Sequence, residues 1–297
     1  MSEAFGFIVS ALSLGSMYAL MALGLVLIYG ILKLVNFAYG ELIMVAGYTL
    51  YLLNGSPLPW LVMGFCAILA AIVASVLTEY IAFRPIRDKS LTAMLITSFA
   101  VSTLFQNAAL LLISPRSRVV PLPDIFSQSI AVGNVLIQMR DIMAVVVTFV
   151  LLGALTLLLN RTVLGIALRA AADNMRMTRM LGVPANLLIS MAFAISGLLA
   201  GTVALFWLGR TASVTPGIGL EPLIVAFVAT VLGGLNSLVG AVVGGYVLAL
   251  MTVGINTFLP QDLVDYRQAF TFALVILVLL FRPEGLISSK IGTGNRP

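Results

Sequence analysis

The chain contains no histidine and only one cysteine, Cys66, which lies inside an apolar stretch. Without a second cysteine there is no disulfide framework, and without histidine there is neither a Cys/His metal site nor a histidine base for a nucleophile. The sequence also lacks the GxxxxGK[ST] loop with which P-loop proteins hold ATP. No catalytic residue, metal site or cofactor is therefore predicted, and a membrane enzyme or scaffold is disfavoured.

Charge is equally scarce. Charged residues make up 9% of the 297 residues, hydrophobic residues make up 61%, and the mean hydropathy is +1.14. Soluble domains carry about 25% charged residues. The composition predicts an all-α fold, a polytopic bundle of transmembrane helices in which residues 1–297 form one membrane-spanning domain.

Long apolar runs divide the chain into spans, since a transmembrane helix needs about 20 mostly apolar residues. The runs predict about eight to nine spans, with ten also compatible. Because the seventh run is short and only a GGLNS turn separates it from the eighth, residues 221–257 are compatible with a re-entrant piece. The candidate spans are 5–31, 38–53, 59–82, 91–113, 141–160, 186–209, 221–235, 237–257 and 268–282.

Lysine and arginine predict the orientation, because cytoplasmic loops are enriched in them. With the N-terminus outside, eleven of the sixteen basic residues fall in cytoplasmic loops and five in external loops. This orientation also places the C-terminal tail in the cytoplasm. The cytoplasmic set is Lys33, Arg84, Arg87, Lys89, Arg161, Arg169, Arg176, Arg179, Arg282, Lys290 and Arg296, and the external set is Arg116, Arg118, Arg140, Arg210 and Arg267.

The segment Arg161–Asn186 is basic in an otherwise apolar chain. Residues 164–181 are rich in helix-forming Ala, Leu, Met and Arg, and Gly182 followed by Pro184 is a helix stop. We expect a cytoplasmic helix that contacts either a protein partner or the anionic headgroups of the bilayer. Four residues at spacings of four, three and four are predicted to share one face: Arg169, Asp173, Arg176 and Met180.

Polar side chains inside apolar segments are the default candidates for a transport path. In KLVNFAYGEL, Asn36 and Glu41 are predicted to cap the second helix at a turn on the cytoplasmic side, where the helix dipole favours a carboxylate. Glu79 is expected at the inner membrane surface beside Arg84. A polar stripe on the fourth span either lines a hydrated path or bonds to neighbouring helices. The candidate path residues are Asn36, Phe37, Ser98, Ser102, Gln106 and Asn107.

Two GxxxG pairs mark points where helix backbones can approach closely, Gly197 with Gly201 and Gly240 with Gly244. Packing within the bundle is their predicted role, and no dimer is inferred from them.

Four stretches, in the same order and at similar spacing over nearly the whole chain, resemble the branched-chain amino acid ABC importer permeases. The resemblance is greater to the shorter, H-type permease subunit. Each stretch alone is a weak signal, but the combination is specific. The stretches are NFAYGEL (Asn36–Leu42), LGIALRAAADNMRMTRMLGV (Leu164–Val183), VLGGLNSLVGAVVGG (Val231–Gly245) and LFRPEGL (Leu280–Leu286).

The resemblance implies the fold of an ABC importer permease and half of a translocation path in the bacterial cytoplasmic (inner) membrane. Its implied partners are a second permease, expected to form a heterodimer although a homodimer stays open, two P-loop ATPases, and a periplasmic or extracellular substrate-binding protein. Residues 161–186 match the cytoplasmic coupling loop that docks on the ATPase. The residues implied to couple are Arg169, Ala172, Asp173, Arg176, Leu181 and Gly182.

The chain departs from the family pattern at two positions, Tyr39 and Asp173. The family usually reads NFAHGE, and Tyr39 stands in place of that histidine. Any chemical role of the histidine is therefore absent, although tyrosine can also pack and donate a hydrogen bond. Asp173 stands where glutamate is common, which keeps the charge with a shorter reach.

Other transport functions remain open. Related permeases serve branched-chain amino acids, other neutral amino acids, urea or amides, so the resemblance leaves the substrate undecided. An autonomous secondary transporter or channel is the main alternative to an ABC permease. The spans lack paired ionisable residues, whereas an ion-coupled carrier is expected to keep a site near the middle of the bilayer.

Overall fold

The computed structural model describes residues 2–87, 89–120, 122–132 and 135–287 and shows a helical bundle. Lys290 and Arg296, counted above among the cytoplasmic basic residues, lie outside these ranges. The described ranges contain ten α-helices. They are α1 (Ser2–Leu32), α2 (Tyr39–Leu53), α3 (Trp60–Leu77), α4 (Leu91–Leu112), α5 (Met139–Arg161), α6 (Val163–Met180), α7 (Ala185–Thr211), α8 (Leu220–Gly233), α9 (Leu238–Phe258) and α10 (Arg267–Phe281).

Nine of these helices coincide with the predicted spans, and α6 is the predicted helix in the basic segment. In the described part of the chain seven are long and apolar enough to cross a membrane. The exceptions are α2 and α8, with 15 and 14 residues. At about 1.5 Å per residue they are roughly 22 and 21 Å long, less than the roughly 30 Å of a hydrocarbon core. The second and seventh candidate spans are therefore short helices, about 70% of that thickness, and we call them half-helices. Only the seventh had looked short in the sequence.

Helix α1 is the centre of the bundle, and Met21 and Leu25 in its middle have no exposed surface. Helix α9 packs along it so closely that a Cβ atom on Gly245 would lie 2.5 Å from the backbone nitrogen of Ala19. From α7, the Ser196 hydroxyl donates to a carbonyl of α1 at 2.9 Å.

Both GxxxG pairs are confirmed as packing points. A Cβ atom on Gly197 would lie 2.8 Å from a carbonyl of α3, and one on Gly201 would lie 2.9 Å from a Cα of the same helix. On α9, a Cβ on Gly244 would lie 2.1 Å from the Ala229 carbonyl oxygen of α8. The missing side chains thus let α7 pack on α3 and α9 pack on α8.

Short strands and an ion pair close the end of the bundle opposite to α6. Strand β1 (Arg118–Val119) pairs antiparallel with β4 (Ser213–Val214), and β2 (Ser129–Val132) pairs antiparallel with β3 (Val135–Gln138). The first pairing ties the α4–α5 connection to the residues that follow α7. At the same end, three helices are joined by hydrogen bonds of 2.7–3.0 Å among Ser13, Asp141 and Arg210.

Helix α6 begins and ends where the sequence predicts but is not one straight helix. Thr162 caps its start by accepting a hydrogen bond from the Gly165 N–H at 3.0 Å, and Gly182 at φ 81° confirms the predicted stop. Within it, Asn174 has φ −153° and ψ 93°, so two helical pieces meet at a kink. The prediction of a single face shared by Arg169 and Met180 is therefore wrong, because these residues lie on opposite sides of the kink.

Candidate functional site

The chain between α1 and α2 turns back into the bundle. Lys33 ends α1 in a left-handed conformation at φ 53°. The Asn36 side chain then accepts a hydrogen bond from the Ala38 N–H at 3.0 Å, which fixes the approach to α2. The Phe37 ring stacks on Phe99 with centroids 4.1 Å apart. Because Phe99 is the ninth residue of the 22-residue α4, the segment has already passed about 12 Å along that helix.

The half-helices α2 and α8 meet at their N-termini. A Cβ on Gly40 would lie 2.1 Å from the Gly219 carbonyl oxygen, and a Cβ on Gly219 would lie 2.5 Å from the carbonyl of Gly40. Neither N-cap residue, Ala38 or Gly219, has a side chain that accepts a hydrogen bond from the N–H groups of the first turn. Half-helices that begin inside the bilayer are the usual way in which transporters place helix dipoles and irregular backbone beside a substrate path.

Glu41, in the first turn of α2, lies at this junction and is 1% exposed. Its Oε1 accepts hydrogen bonds from Ser102 Oγ at 2.9 Å and from Gln106 Nε2 at 2.7 Å. Its Oε2 is buried with no hydrogen-bond partner among the described residues. Ser102 is the twelfth of the 22 residues of α4, so the carboxylate lies beside the middle of a spanning helix.

The structure separates the predicted path residues into two groups. Ser102 and Gln106 converge on the carboxylate described above, and Asn36 and Phe37 form the segment that leads to it. Ser98 instead donates to the Leu95 carbonyl of its own helix, and the exposed Asn107 donates to the Thr103 carbonyl. Of the four residues in the predicted polar stripe, Ser102 and Gln106 therefore bond to a neighbouring helix, and Ser98 and Asn107 bond to backbone carbonyls of α4 itself.

The prediction that Glu41 caps α2 at a cytoplasmic turn is wrong. Its carboxylate bonds across to α4 and lies well inside the bundle. The turn at Lys33 is near the surface, but the intervening segment carries the start of α2 inward. The signal available in the sequence was a lone carboxylate within apolar residues, and its partners 61 and 65 positions away were not identifiable from spacing.

The predicted coupling residues occupy both pieces of α6 and the turn after it. Arg169 donates to Asn160 at 3.0 Å, and Ala172 lies beside Gly30 of α1. Arg169, Ala172 and Asp173 line a cavity of about 250 Å³ between α6, α1 and the α8–α9 turn. Arg176 and Leu181 lie beyond the kink, where Leu181 is 82% exposed.

A buried polar cluster joins the start of α7 to the end of α3. The helix α3 continues as a π-helix (Thr78–Phe83) that contains Glu79, which is fully buried. Glu79 Oε2 accepts from Ser190 Oγ at 2.6 Å, and its Oε1 lies 3.7 Å from Arg87, which also donates to Asn186. The basic side chain nearest to the Glu79 carboxylate is thus Arg87, whereas Arg84 contacts Glu79 through its backbone N–H, which donates to the Glu79 carbonyl at 2.8 Å; the predicted position of Glu79 at the membrane surface stays a prediction. The cluster fastens the start of α7, directly after the coupling segment, to the core.

The substitution Ser190→Ala is expected to weaken the attachment of α7 to Glu79. It removes a hydrogen bond to a buried carboxylate, a loss of about 1.5–3 kcal/mol. We expect a lower thermal midpoint for the purified protein, with Ser56→Ala as a control because that hydroxyl bonds only to the Leu53 carbonyl nearby in sequence. Equal midpoints for the two variants would show that the Ser190 bond does not hold α7.

A bundle of apolar helices that joins two half-helices end to end, and bears one kinked, largely exposed helix, has the architecture of a membrane transport permease. The chain belongs to the family described as branched-chain amino acid transport system, permease component, which it matches over residues 7–279. A membrane permease rather than an enzyme is the class that this family defines.

The curated relatives agree with this assignment. The chain is 35% identical over 294 residues to the high-affinity branched-chain amino acid transport system permease protein BraD of Pseudomonas aeruginosa, covering 94% of each chain. It is 32% identical over 292 residues to LivH of Escherichia coli K12, the permease protein of a system described in the same words, covering 94% of this chain and 93% of the relative. A probable LivH of Methanocaldococcus jannaschii is 28% identical over 287 residues.

Proposed function

We propose that this chain forms half of the translocation path for branched-chain or other neutral amino acids in a bacterial cytoplasmic membrane, with its N-terminus outside. It works as the permease subunit of an ATP-binding-cassette importer. Support comes from the similarity to permeases of high-affinity branched-chain amino acid systems over almost the whole chain. The chain has no P-loop of its own, so ATP hydrolysis falls to separate subunits.

The observation that carries the proposal is the construction of α6. Its first piece buries Leu168 and Ala171 against the bundle, at 3% and 2% exposure. Its second piece and the following turn expose Met177, Met180 and Leu181 at 59%, 68% and 82%. Val163 and Ile166 of the first piece are also exposed, and Thr178 of the second is buried. The segment is thus held against the bundle by one face, and its other face and C-terminal turn present apolar surface of the kind that fills a groove on a partner protein.

The kink gives the exposed piece a start of its own. Asn174 Oδ1 accepts a hydrogen bond from the Met177 N–H at 3.1 Å, which is the geometry of an N-cap. We infer that residues 175–181 are the docking element and that 163–173 transmit its movement to α1 and α5. In this arrangement Arg176 and Leu181 contact the ATPase, Gly182 ends the element, and Arg169, Ala172 and Asp173 act at its base.

The proposed wall of the path is the region around Glu41, where the start of α2 contacts α4. Asn36, Phe37, Ser102 and Gln106 bring polar and aromatic groups to the α2–α8 junction, with Ser98 and Asn107 on the same helix. The α4 surface beside them exposes Phe99 at 53%. A second permease, expected to form a heterodimer with this chain, covers that surface and completes the path, and a binding protein delivers substrate at the opposite end from α6.

The test is purification from native membranes with a tag on α10 or beyond. We expect a second permease and two P-loop ATPases in the eluate, with ATPase activity stimulated by leucine-loaded binding protein. Stimulation by a urea- or amide-loaded binding protein instead would assign the path to those substrates. A chain that purifies without ATPases and transports in the absence of ATP would establish a secondary transporter or channel.

A further inference from the structure

Glu41 is a carboxylate without a counter-charge. Its described partners, Ser102 and Gln106, are both neutral, and both bond to the same oxygen. Within the described ranges no lysine or arginine lies within 4 Å of it. Moving an ionised carboxylate out of water has a penalty of several kcal/mol unless it is paired. An intramembrane acid without a charged partner is therefore expected to hold a proton until it meets a cation in the working cycle.

Burial disfavours the charged form of this side chain, and its hydrogen bonds satisfy only part of its capacity. Glu41 lies in the first turn of α2, where the helix dipole stabilises negative charge. Its Oε1 is held in place by two donors, which directs the unpartnered Oε2 away from them. A carboxylate can accept about four hydrogen bonds, so half of its capacity is unused. The side chain is positioned to receive one more donor.

An apolar surface lies next to this acceptor. Phe99 precedes Ser102 by three residues, so the two share a face of α4. Phe37 stacks on Phe99 and belongs to the same segment that leads into α2. A ligand that places a positive charge at Glu41 can therefore lay an apolar side chain on the Phe37–Phe99 pair. A zwitterionic amino acid with a branched apolar side chain has both parts, whereas a bare inorganic cation has only the charge.

We propose that Glu41 receives the α-ammonium group of the amino acid as it passes the α2–α8 junction, with Ser102 and Gln106 as positioning residues. This inference rests on the proposed function, because it assumes that an amino acid crosses here. It assigns to the permease a recognition point of its own, in addition to selection by the binding protein. The α-ammonium group and Na⁺ both carry a single positive charge, so Na⁺ is the competing ligand.

The experiment uses the assembled importer in proteoliposomes and has two readouts. The first is labelling of Glu41 by dicyclohexylcarbodiimide, which modifies carboxyl groups in apolar surroundings, followed by peptide mass spectrometry. Labelling is measured with leucine-loaded binding protein and ATP, with Na⁺ alone, and with neither. The second is leucine uptake by Glu41→Gln, which keeps the shape of the side chain and an acceptor oxygen but loses the charge. Glu221→Gln is the matched control, because Glu221 also lies in the first turn of its helix, α8, but is exposed.

We expect leucine to slow the labelling of Glu41 and Na⁺ alone to leave it unchanged. Uptake by Glu41→Gln should fall about tenfold or more, as expected for loss of one charge-assisted hydrogen bond, while Glu221→Gln transports normally. Protection by Na⁺ alone, or no protection by leucine, would overturn the proposal even if Glu41→Gln failed to fold, since labelling uses the unaltered protein. If the unaltered importer transports no amino acid, the proposed function itself fails; if it transports and Glu41→Gln matches it, only this inference fails.

Discussion

Gly40→Ala is expected to lower the thermal midpoint of the purified permease by roughly 6–12 °C. The added methyl group would lie 2.1 Å from the Gly219 carbonyl oxygen and 3.0 Å from the Leu223 Cβ. Backbone oxygen cannot rotate away as a side chain can, so relief requires the two half-helices to separate. Overpacking of this kind costs about 3 kcal/mol, and each kcal/mol shifts the midpoint of a chain of this size by roughly 2–4 °C.

The matched controls are Gly153→Ala and Gly254→Ala, on α5 and α9. No atom lies within 4 Å of a Cβ built at either position. Because alanine is a better helix former than glycine by about 1 kcal/mol, these variants should be unchanged or slightly stabilised. A Gly40→Ala midpoint equal to that of Gly254→Ala would mean that the ends of α2 and α8 are not held together, and the site built on their junction would have to be abandoned.

Ala172→Pro is expected to abolish coupling while leaving the protein in the membrane. Position 172 lies inside the first piece of α6, where proline removes an N–H donor and clashes with the carbonyl four residues earlier, a loss of about 3 kcal/mol or more. The exposed piece beyond Asn174 would then no longer be rigidly connected to α1. We expect ATP hydrolysis by the assembled importer to continue without leucine uptake. The measurement is the ratio of leucine transported to ATP hydrolysed in proteoliposomes.

Val163→Pro provides the control for this substitution. Val163 follows the N-cap Thr162, and proline is well tolerated at the first position of a helix because its missing N–H has no partner there. Thr162 already has φ −107° and ψ 152°, the extended conformation that a residue before proline prefers. Normal coupling by both variants would exclude α6 as the transmitting helix, and loss by both would point to the turn after α5 instead.

The positions of most helices were predictable because they depend on local properties. Apolar run length located nine helices, and the Gly182–Pro184 pair located the end of α6. The GxxxG pairs correctly marked points of close packing, although their partner helices, α3 and α8, came only from the structure. Each of these features is encoded within about twenty neighbouring residues, so periodicity and composition are sufficient to find it.

The kink at Asn174 could not be predicted from the local sequence. The residues from 164 to 181 are good helix formers, and an isolated asparagine in such a stretch predicts no more than a small loss of helix propensity. Its side chain can also cap a new helix, and the structure uses it in that way. The choice between the two depends on what the flanking pieces pack against, which propensity does not describe.

By itself the sequence determined that this is an apolar, multi-helix membrane protein with one basic helix, because hydrophobic length and charge are local quantities. Only the tertiary structure decided that α2 and α8 begin inside the bundle and that Glu41 faces α4. The depth of a helix start depends on the path of the connecting segment. The partner of a buried carboxylate depends on which distant helix packs beside it, and neither is written in the spacing of neighbouring residues.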